Sequence, residues 1–138
     1  MITGYLVGDA ELRARMDKLY PTAQKGLLDA VTRLAIQLQR HVMQDKLSGQ
    51  VLRVRTGTLR RSINERVAQT ADSTTGQVGS NIIYARIHEY GGTVARHSKK
   101  GVGRTVYPER SFLRSALRDM QSQIITDLGN AVARAMKQ

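Results

Sequence analysis

Residues 113–132 of the sequence, LRSALRDMQSQIITDLGNAV, decide how the chain folds. Apolar side chains recur there at spacings of three and four residues, which places them on one face of an α-helix: Leu113, Leu117, Met120, Ile124, Leu128 and Val132. We assign residues 106–138 to a C-terminal helix, with Pro108 opening it and Glu109 in its first turn, where a negative charge is favourable. A helix with so continuous an apolar face has to pack against another long element.

The N-terminal third of the chain shows the same helical pattern. Residues 9–47 form a predicted helical region, and its apolar face carries Leu27, Val31, Leu34, Leu38 and Val42. Pro21 predicts a kink or a restart within this region, because proline lacks the amide hydrogen that an interior turn requires. Gly49 follows the periodic residues and is expected to end the helix.

The middle of the chain, residues 50–92, is rich in Thr, Ser and Gly. Two antiparallel strands are expected at residues 63–71 and 77–80, on either side of a polar turn. Residues 82–90 are ambiguous, although their apolar side chains share a helical face that Gly91 would bring to an end.

Residues 93–105 contain almost no large apolar side chain and are predicted to form an exposed basic loop or arm. We therefore expect one domain, residues 1–138, of the α+β class: a small antiparallel sheet packed against two long amphipathic helices, one N-terminal and one C-terminal. No targeting segment and no run of about 18 apolar residues is visible, so we expect a soluble intracellular product with no membrane partner.

Basic residues outnumber acidic ones by 22 to 11, which gives a formal net charge of +11. Such an excess usually indicates a polyanionic neighbour, and a solvated surface that aids solubility is the alternative. The excess is concentrated in two stretches, which supply the candidate contacts with DNA or with an acidic neighbouring protein: Arg53, Arg55, Arg60, Arg61, Arg96, Lys99, Lys100, Arg104, Arg110, Arg114 and Arg118.

The sequence offers little for catalysis, and we expect no catalytic, metal or cofactor site. Cysteine is absent, which excludes a thiolate nucleophile or metal ligand. His88 and Glu89 form the one adjacent acid–base pair, but a helical zinc motif would need a second His at position 92, which is Gly92. His41 is interpreted as an ordinary helical histidine and His97 as part of the basic arm.

Three ordered segments resemble a known family: residues 55–63 (RTGTLRRSI), 78–92 (VGSNIIYARIHEYGG) and 108–117 (PERSFLRSAL). Together with the preceding long helix, they resemble the neck and tail-completion proteins of tailed phages, which are also described as virion morphogenesis or tail-component proteins. The third segment departs from the family pattern, because Ser111 stands where proline is common.

The resemblance implies a structural protein of the virion, made in the host bacterial cytoplasm, that joins head and tail. It implies a homo-oligomeric ring, hexameric or else dodecameric, between the head connector and the tail tube or tail terminator proteins. Some basic residues would then face the passing double-stranded DNA, which requires weak contacts independent of sequence.

The motif residues also receive structural roles as candidate fold determinants. Gly57 is expected to permit a sharp turn that lets Leu59 pack inward, and Gly91 to release the chain from the preceding segment. Three further side chains, Tyr84, Ile87 and Tyr90, are expected to fill the core. The last helix is expected to be anchored by Phe112 and Leu113.

Two alternatives remain open at this point. A free nucleic-acid-binding protein agrees with the charge, although aromatic residues for base stacking are scarce and no reader motif is present. A small hydrolase or nuclease lacks a recognisable set of metal ligands or nucleophiles. Salt-sensitive duplex binding by a monomer would favour the first, and metal-dependent cleavage the second.

Overall fold

One long N-terminal helix organises the fold. A computed structural model describes residues 10–52 and 54–137 of the chain. The first helix, α1 (Ala10–His41), continues into wider π-type turns over Val42–Gln50. The elements after it are α2 (Thr58–Arg61), β1 (Ile63–Gln69), β2 (Thr74–Ser80), α3 (Ala85–Tyr90), β3 (Gly92–Ser98), β4 (Gly101–Tyr107) and α4 (Leu113–Met136). The predicted α+β class, with long helices at both ends, is confirmed.

Helix α1 passes through Pro21 without interruption, so the chain does not restart the helix there, which was one of the two predicted outcomes. Proline removes one hydrogen bond of the helical ladder, but the turns on either side keep theirs. The Thr22 hydroxyl donates to the carbonyl of Lys18 in the same turn, at 3.2 Å. The π-type turns that continue α1 end where the helical region was predicted to end, because Gly49 adopts a φ of 123° that a helix does not contain.

The first hairpin, β1 with β2, packs on α1. The two strands are antiparallel, with Ile63 opposite Ser80 and Gln69 opposite Thr74, which agrees with the predicted pair of strands. Gly76 lies so close to α1 that a Cβ atom there would be 2.9 Å from a methyl carbon of Val31. The hairpin therefore rests directly on the apolar face of the helix.

Residues 93–105 are not a loop, which corrects the prediction for this segment. They belong to a second antiparallel hairpin, in which Gly92 pairs with Tyr107 and Ser98 with Gly101. The four strands thus form two separate two-stranded sheets, where a single sheet was expected. The segment escaped prediction because strands are usually recognised by an apolar face that packs on a core, and every residue of β3 is exposed.

The core lies where the π-type turns meet α3 and the start of α4. Its buried members are Val42, Leu47, Leu52, Ile63, Ala85, Phe112 and Ala116. Phe112, the one phenylalanine in the chain, is completely buried. Farther along the two long helices, Ala30 and Ala135 are buried, and Ala35 is buried next to Gly76 of the first hairpin.

A group of charged side chains fastens the end of α1 to α4. The buried Lys46 ammonium lies 2.7 Å from the Asp119 carboxylate, which also contacts the ring of His41 at 3.0 Å. The other ring nitrogen of His41 lies 2.5 Å from Asp45. Because a buried ammonium without a partner is very costly, this pairing holds α4 in position against the π-type turns.

Candidate interaction surfaces

The Glu89 carboxylate caps the N-terminus of α4. It accepts hydrogen bonds from the backbone N–H groups of Phe112 and Leu113 at 2.8 Å and of Arg114 at 3.0 Å. The Ser111 hydroxyl donates to it at 2.8 Å and the Arg114 guanidinium at 2.9 Å. Amide groups at a helix start have no partner within the helix, so a carboxylate from α3 supplies what a local capping residue normally supplies.

The surroundings of Glu89 keep it ionised. Burial alone would raise the pKa of this carboxyl, but the hydrogen bonds from Leu113, Arg114 and Ser111 outweigh burial and hold the pKa below its usual value. Arg114 also donates to Glu109 at 2.7 Å and lies over the ring of Tyr90, 4.4 Å from its centre. We call Glu89, Ser111 and Arg114 the α3–α4 lock.

The lock explains why two of the three motifs occur together. Residues 88–92 supply the carboxylate and residues 108–117 supply the helix start that it caps. Gly91 turns the chain beside them with a φ of 72°, and a Cβ atom there would be only 2.7 Å from the amide nitrogen of Glu109. A side chain at position 91 would therefore push the two segments apart.

Sequence reasoning missed the role of Glu89, although two signals pointed to it. Glu89 follows Ala85 by four residues and so shares its buried face, where a carboxylate needs partners. In addition, Phe112 precedes α4 in the position where Ser, Thr, Asp or Asn would normally provide a cap. The uncapped N–H groups at the start of α4 and the buried Glu89 carboxylate therefore become hydrogen-bond partners.

The expectation that Tyr84 and Tyr90 fill the core is wrong, because the two residues are 43% and 58% exposed. Tyr84, His88 and Tyr107 form a row instead, with neighbouring rings edge to face and 6.0 Å between their centres. Burial, assisted by the positive charge of Arg110, lowers the pKa of His88. Ile87 is half-buried beside this row, and the core takes its aromatic ring from Phe112.

The remaining candidate fold determinants take local positions. Gly57 has a φ of 74° immediately before α2, the left-handed conformation that its predicted sharp turn requires. Leu59 and Leu113 are partly buried and pack against the core.

The candidate basic residues that the structure describes lie in five places. Three of them, Arg55, Arg60 and Arg110, line an open groove. The second hairpin carries Arg96, Lys99, Lys100 and Arg104. Arg114 belongs to the α3–α4 lock, so its guanidinium already has internal partners. The exposed Arg61 and Arg118 lie on α2 and α4, and Arg53 lies outside the described residues.

The second hairpin presents positive charge in every direction. Arg104 lies opposite Ala95, the neighbour of Arg96, so the two arginines project from opposite faces of the ribbon. Lys99 and Lys100 form the turn at its tip. Of its side chains, Thr105 and Tyr107 alone are half-buried, and the outer edges of both strands pair with nothing in the described residues. We call this feature the basic hairpin.

Part of the apolar face of α4 is uncovered. Leu117, Ile125, Val132 and Met136 are 40–72% exposed. At about 3.6 residues per turn, they fall within roughly 100° of one another around the helix axis. Leu117 and Val132 belong to the apolar face predicted from the sequence, whereas Ile125 and Met136 lie beside that face. We call these four residues the α4 stripe.

The described residues offer no evident site for metal chemistry. Residues 10–52 and 54–137 contain no group of three His, Asp or Glu side chains placed to hold a metal ion. The carboxylate of the His88–Glu89 pair is occupied by the helix cap. None of the helices in this part of the chain is long and apolar enough to span a membrane.

The fold is that of a small α+β protein that exposes an apolar helix face, a basic hairpin and an arginine-bearing groove. The model of the phage virion morphogenesis family matches residues 32–133, which is most of the chain. The chain belongs to this family, and membership assigns it a structural or assembly role in the phage virion. No curated protein and no solved structure matches the chain significantly.

Proposed function

We propose that this protein is a tail-completion subunit of the phage neck, which forms a homo-oligomeric ring between the head connector and the tail tube or tail terminator proteins. The observation that carries the proposal is the α4 stripe, because a soluble chain seldom leaves a row of large apolar side chains uncovered without a partner. Family membership supplies the virion as the setting.

A ring requires that one patch of each subunit meets a different patch on its neighbour. On average a little over half of each side chain in the α4 stripe is exposed, so burying the rest contributes on the order of 4 kcal/mol. Association costs about 4–15 kcal/mol in lost freedom of motion. The stripe therefore needs a second contact, and the unpaired strand edges of the basic hairpin are suited to one.

The test compares two variants by native mass spectrometry. Ile125→Asp places a charge in the α4 stripe, whereas Thr126→Asp places the same charge at the next, exposed residue outside it. We expect the unmodified protein and Thr126→Asp to form a defined six- or twelve-subunit species, and Ile125→Asp to remain monomeric. If both variants assemble equally, the α4 stripe is not part of the interface between subunits.

A second candidate function is sequence-independent nucleic-acid binding, which the basic hairpin favours. A two-stranded ribbon fits the major groove of B-form DNA, and basic side chains on both faces could meet phosphates. Adding a short duplex to the same experiment separates the candidates. A monomer that binds duplex tightly would replace the ring proposal, and a monomer indifferent to DNA would leave a subunit that assembles only on its phage partners.

A further inference from the structure

The groove that holds Arg55, Arg60 and Arg110 lies between the residues that follow α1 and the row of rings on α3 and β4. It has a volume of about 910 Å³, within the usual range for a site that encloses a small ligand. Its lining includes the apolar residues Leu52, Leu59 and Ile87, which we call the floor, and the first of them is a buried member of the core. Apolar side chains of a bound ligand could therefore pack against these residues.

The charge of the groove has a single sign. Its lining contains Arg55, Arg60 and Arg110 but no Asp or Glu. Among the side chains that the structure describes, which leave out those of residues 1–13, 15, 16, 53 and 138, these three arginines form no ion pair, whereas Arg114 nearby has two. Unpaired guanidinium groups around an apolar floor complement a segment that alternates carboxylates with apolar side chains.

Nucleic acid fits this groove less well than such a segment. Duplex DNA presents phosphates on a convex surface and could not reach an apolar floor. Single strands need open ring faces for stacking, but His88 is already engaged edge to face by Tyr84 and Tyr107. The basic hairpin, which projects from the body, is the better phosphate contact.

We propose that the groove binds an acidic peptide segment of a partner protein, anchored by apolar side chains on the floor and by carboxylates on the three arginines. The inference rests on the proposed function only in taking that partner to be another component of the virion. It does not depend on ring formation.

The probe is a synthetic twelve-residue peptide that alternates glutamate with leucine and phenylalanine, labelled for fluorescence anisotropy and measured at about 0.15 M salt. We expect saturable binding that weakens at least tenfold in the double variant Arg55→Glu with Arg110→Glu. The matched control, Arg33→Glu with Arg134→Glu, makes the same change in net charge at exposed sites outside the groove and should bind as the unmodified protein does. Equal loss in both double variants would overturn the proposal.

Two further measurements separate a groove from general charge attraction. A peptide with serine in place of every leucine and phenylalanine keeps the charge and should bind at least tenfold more weakly, while equal binding would overturn the proposal. Val54→Asp adds a carboxylate at the half-exposed rim, where it does not touch the buried core, and should weaken binding if the double variant fails to fold.

The remaining outcomes distinguish this inference from the proposed function. A single-stranded oligonucleotide that displaces the peptide with equal affinity would identify a nucleic-acid site and overturn the inference. Native mass is recorded on the same samples. Peptide binding by a protein that stays monomeric would support the groove proposal and contradict the ring proposal. A protein that forms the ring, but does not bind the peptide when diluted to single subunits, would contradict the groove proposal alone.

Discussion

Glu89 connects α3 to α4 through five hydrogen bonds to one carboxylate, and the residue itself is 3% exposed. Removing it would leave three backbone N–H groups and part of a guanidinium without partners near the buried Phe112. Leaving a buried donor without its acceptor costs more than the intact bond contributed, which makes this residue the most sensitive point of the fold.

Replacement of Glu89 by alanine is expected to lower the free energy of unfolding by about 3–5 kcal/mol, the usual result of breaking a buried charged network. Urea unfolding followed by circular dichroism measures the change. Glu109→Ala removes the more exposed carboxylate from the same arginine and should cost less than about 1 kcal/mol. Similar losses in both variants would show that the cap contributes no more than a surface ion pair.

Acid should destabilise the protein through the carboxyls whose pKa is lowered. Hydrogen bonds from Lys46 and then His41 lower the pKa of Asp119, and the helix cap lowers that of Glu89. Folded carboxyls with lowered pKa hold fewer protons than unfolded ones, so stability is lost as the pH falls from roughly 5, through the ordinary values near 4, to the lowered ones. His88, whose pKa is also lowered, adds a loss of the same sign that begins near pH 6.5.

The Glu89→Gln variant isolates the contribution of Glu89 to this loss of stability in acid. The stability gap between the unmodified protein and the variant should be widest near pH 7 and should narrow as the pH falls below roughly 5, because the Glu89 carboxyl takes up its proton in the unfolded chain before it does so in the folded protein. Urea midpoints measured from pH 3 to 7 give the gap directly. A gap that stays constant over this range would mean that the charge on Glu89 does not contribute.

At the scale of elements, the two hairpins differ although their strands are equally long. Every strand has seven residues, but β1 and β2 rest on α1 while the basic hairpin projects from the body. A two-stranded hairpin without a packed face is marginally stable in water. The first hairpin is therefore stabilised by packing on α1, whereas the stability of the second hairpin has little contribution from apolar packing.

Hydrogen exchange should separate the two hairpins. In a dilute monomeric sample, amides of β3 and β4 should exchange at least about tenfold faster than paired amides of β1 and β2, because opening them exposes almost no apolar surface. The first hairpin serves as the internal control. Equal protection in the monomer would contradict a projecting hairpin, and protection gained on assembly would place it in an interface.

At the scale of the whole molecule, the charge of +11 opposes self-association. The subunits within a ring would repel one another unless salt or an acidic partner compensates for their charge. The α4 stripe avoids this difficulty locally, since Asp127 is the one charged residue among residues 121–133. Assembly through the stripe and binding to a polyanion should therefore respond to salt in opposite directions.

Raising the salt concentration from about 0.01 to 0.15 M shortens the screening length from roughly 30 to 8 Å. We expect the oligomeric fraction to rise over this range, because repulsion is screened while apolar contacts persist. Binding to a duplex should weaken over the same range, because released counterions drive it. Sedimentation velocity with and without duplex measures both responses, and an oligomer that dissociates as salt rises would indicate an interface made of ion pairs.

What the sequence determined was local. Both long helices, the end of the N-terminal helical region at Gly49 and the first hairpin follow from the spacing of apolar residues and from glycine positions within a few turns of chain. The start of α4 does not: it was predicted within residues 106–138 at Pro108, but β4 runs to Tyr107 and the helix begins at Leu113. The three motif segments also indicated the family, which the comparison confirmed.

Tertiary structure decided what depends on residues distant in the chain. Glu89 became a cap only because the fold brings α3 against Phe112, which lies 23 positions later. Tyr84 and Tyr90 lie at the surface, and the buried ring of the core is that of Phe112. The stripe on α4 is exposed although α1 packs against the same helix, and no local pattern states which side of a helix a neighbour will cover.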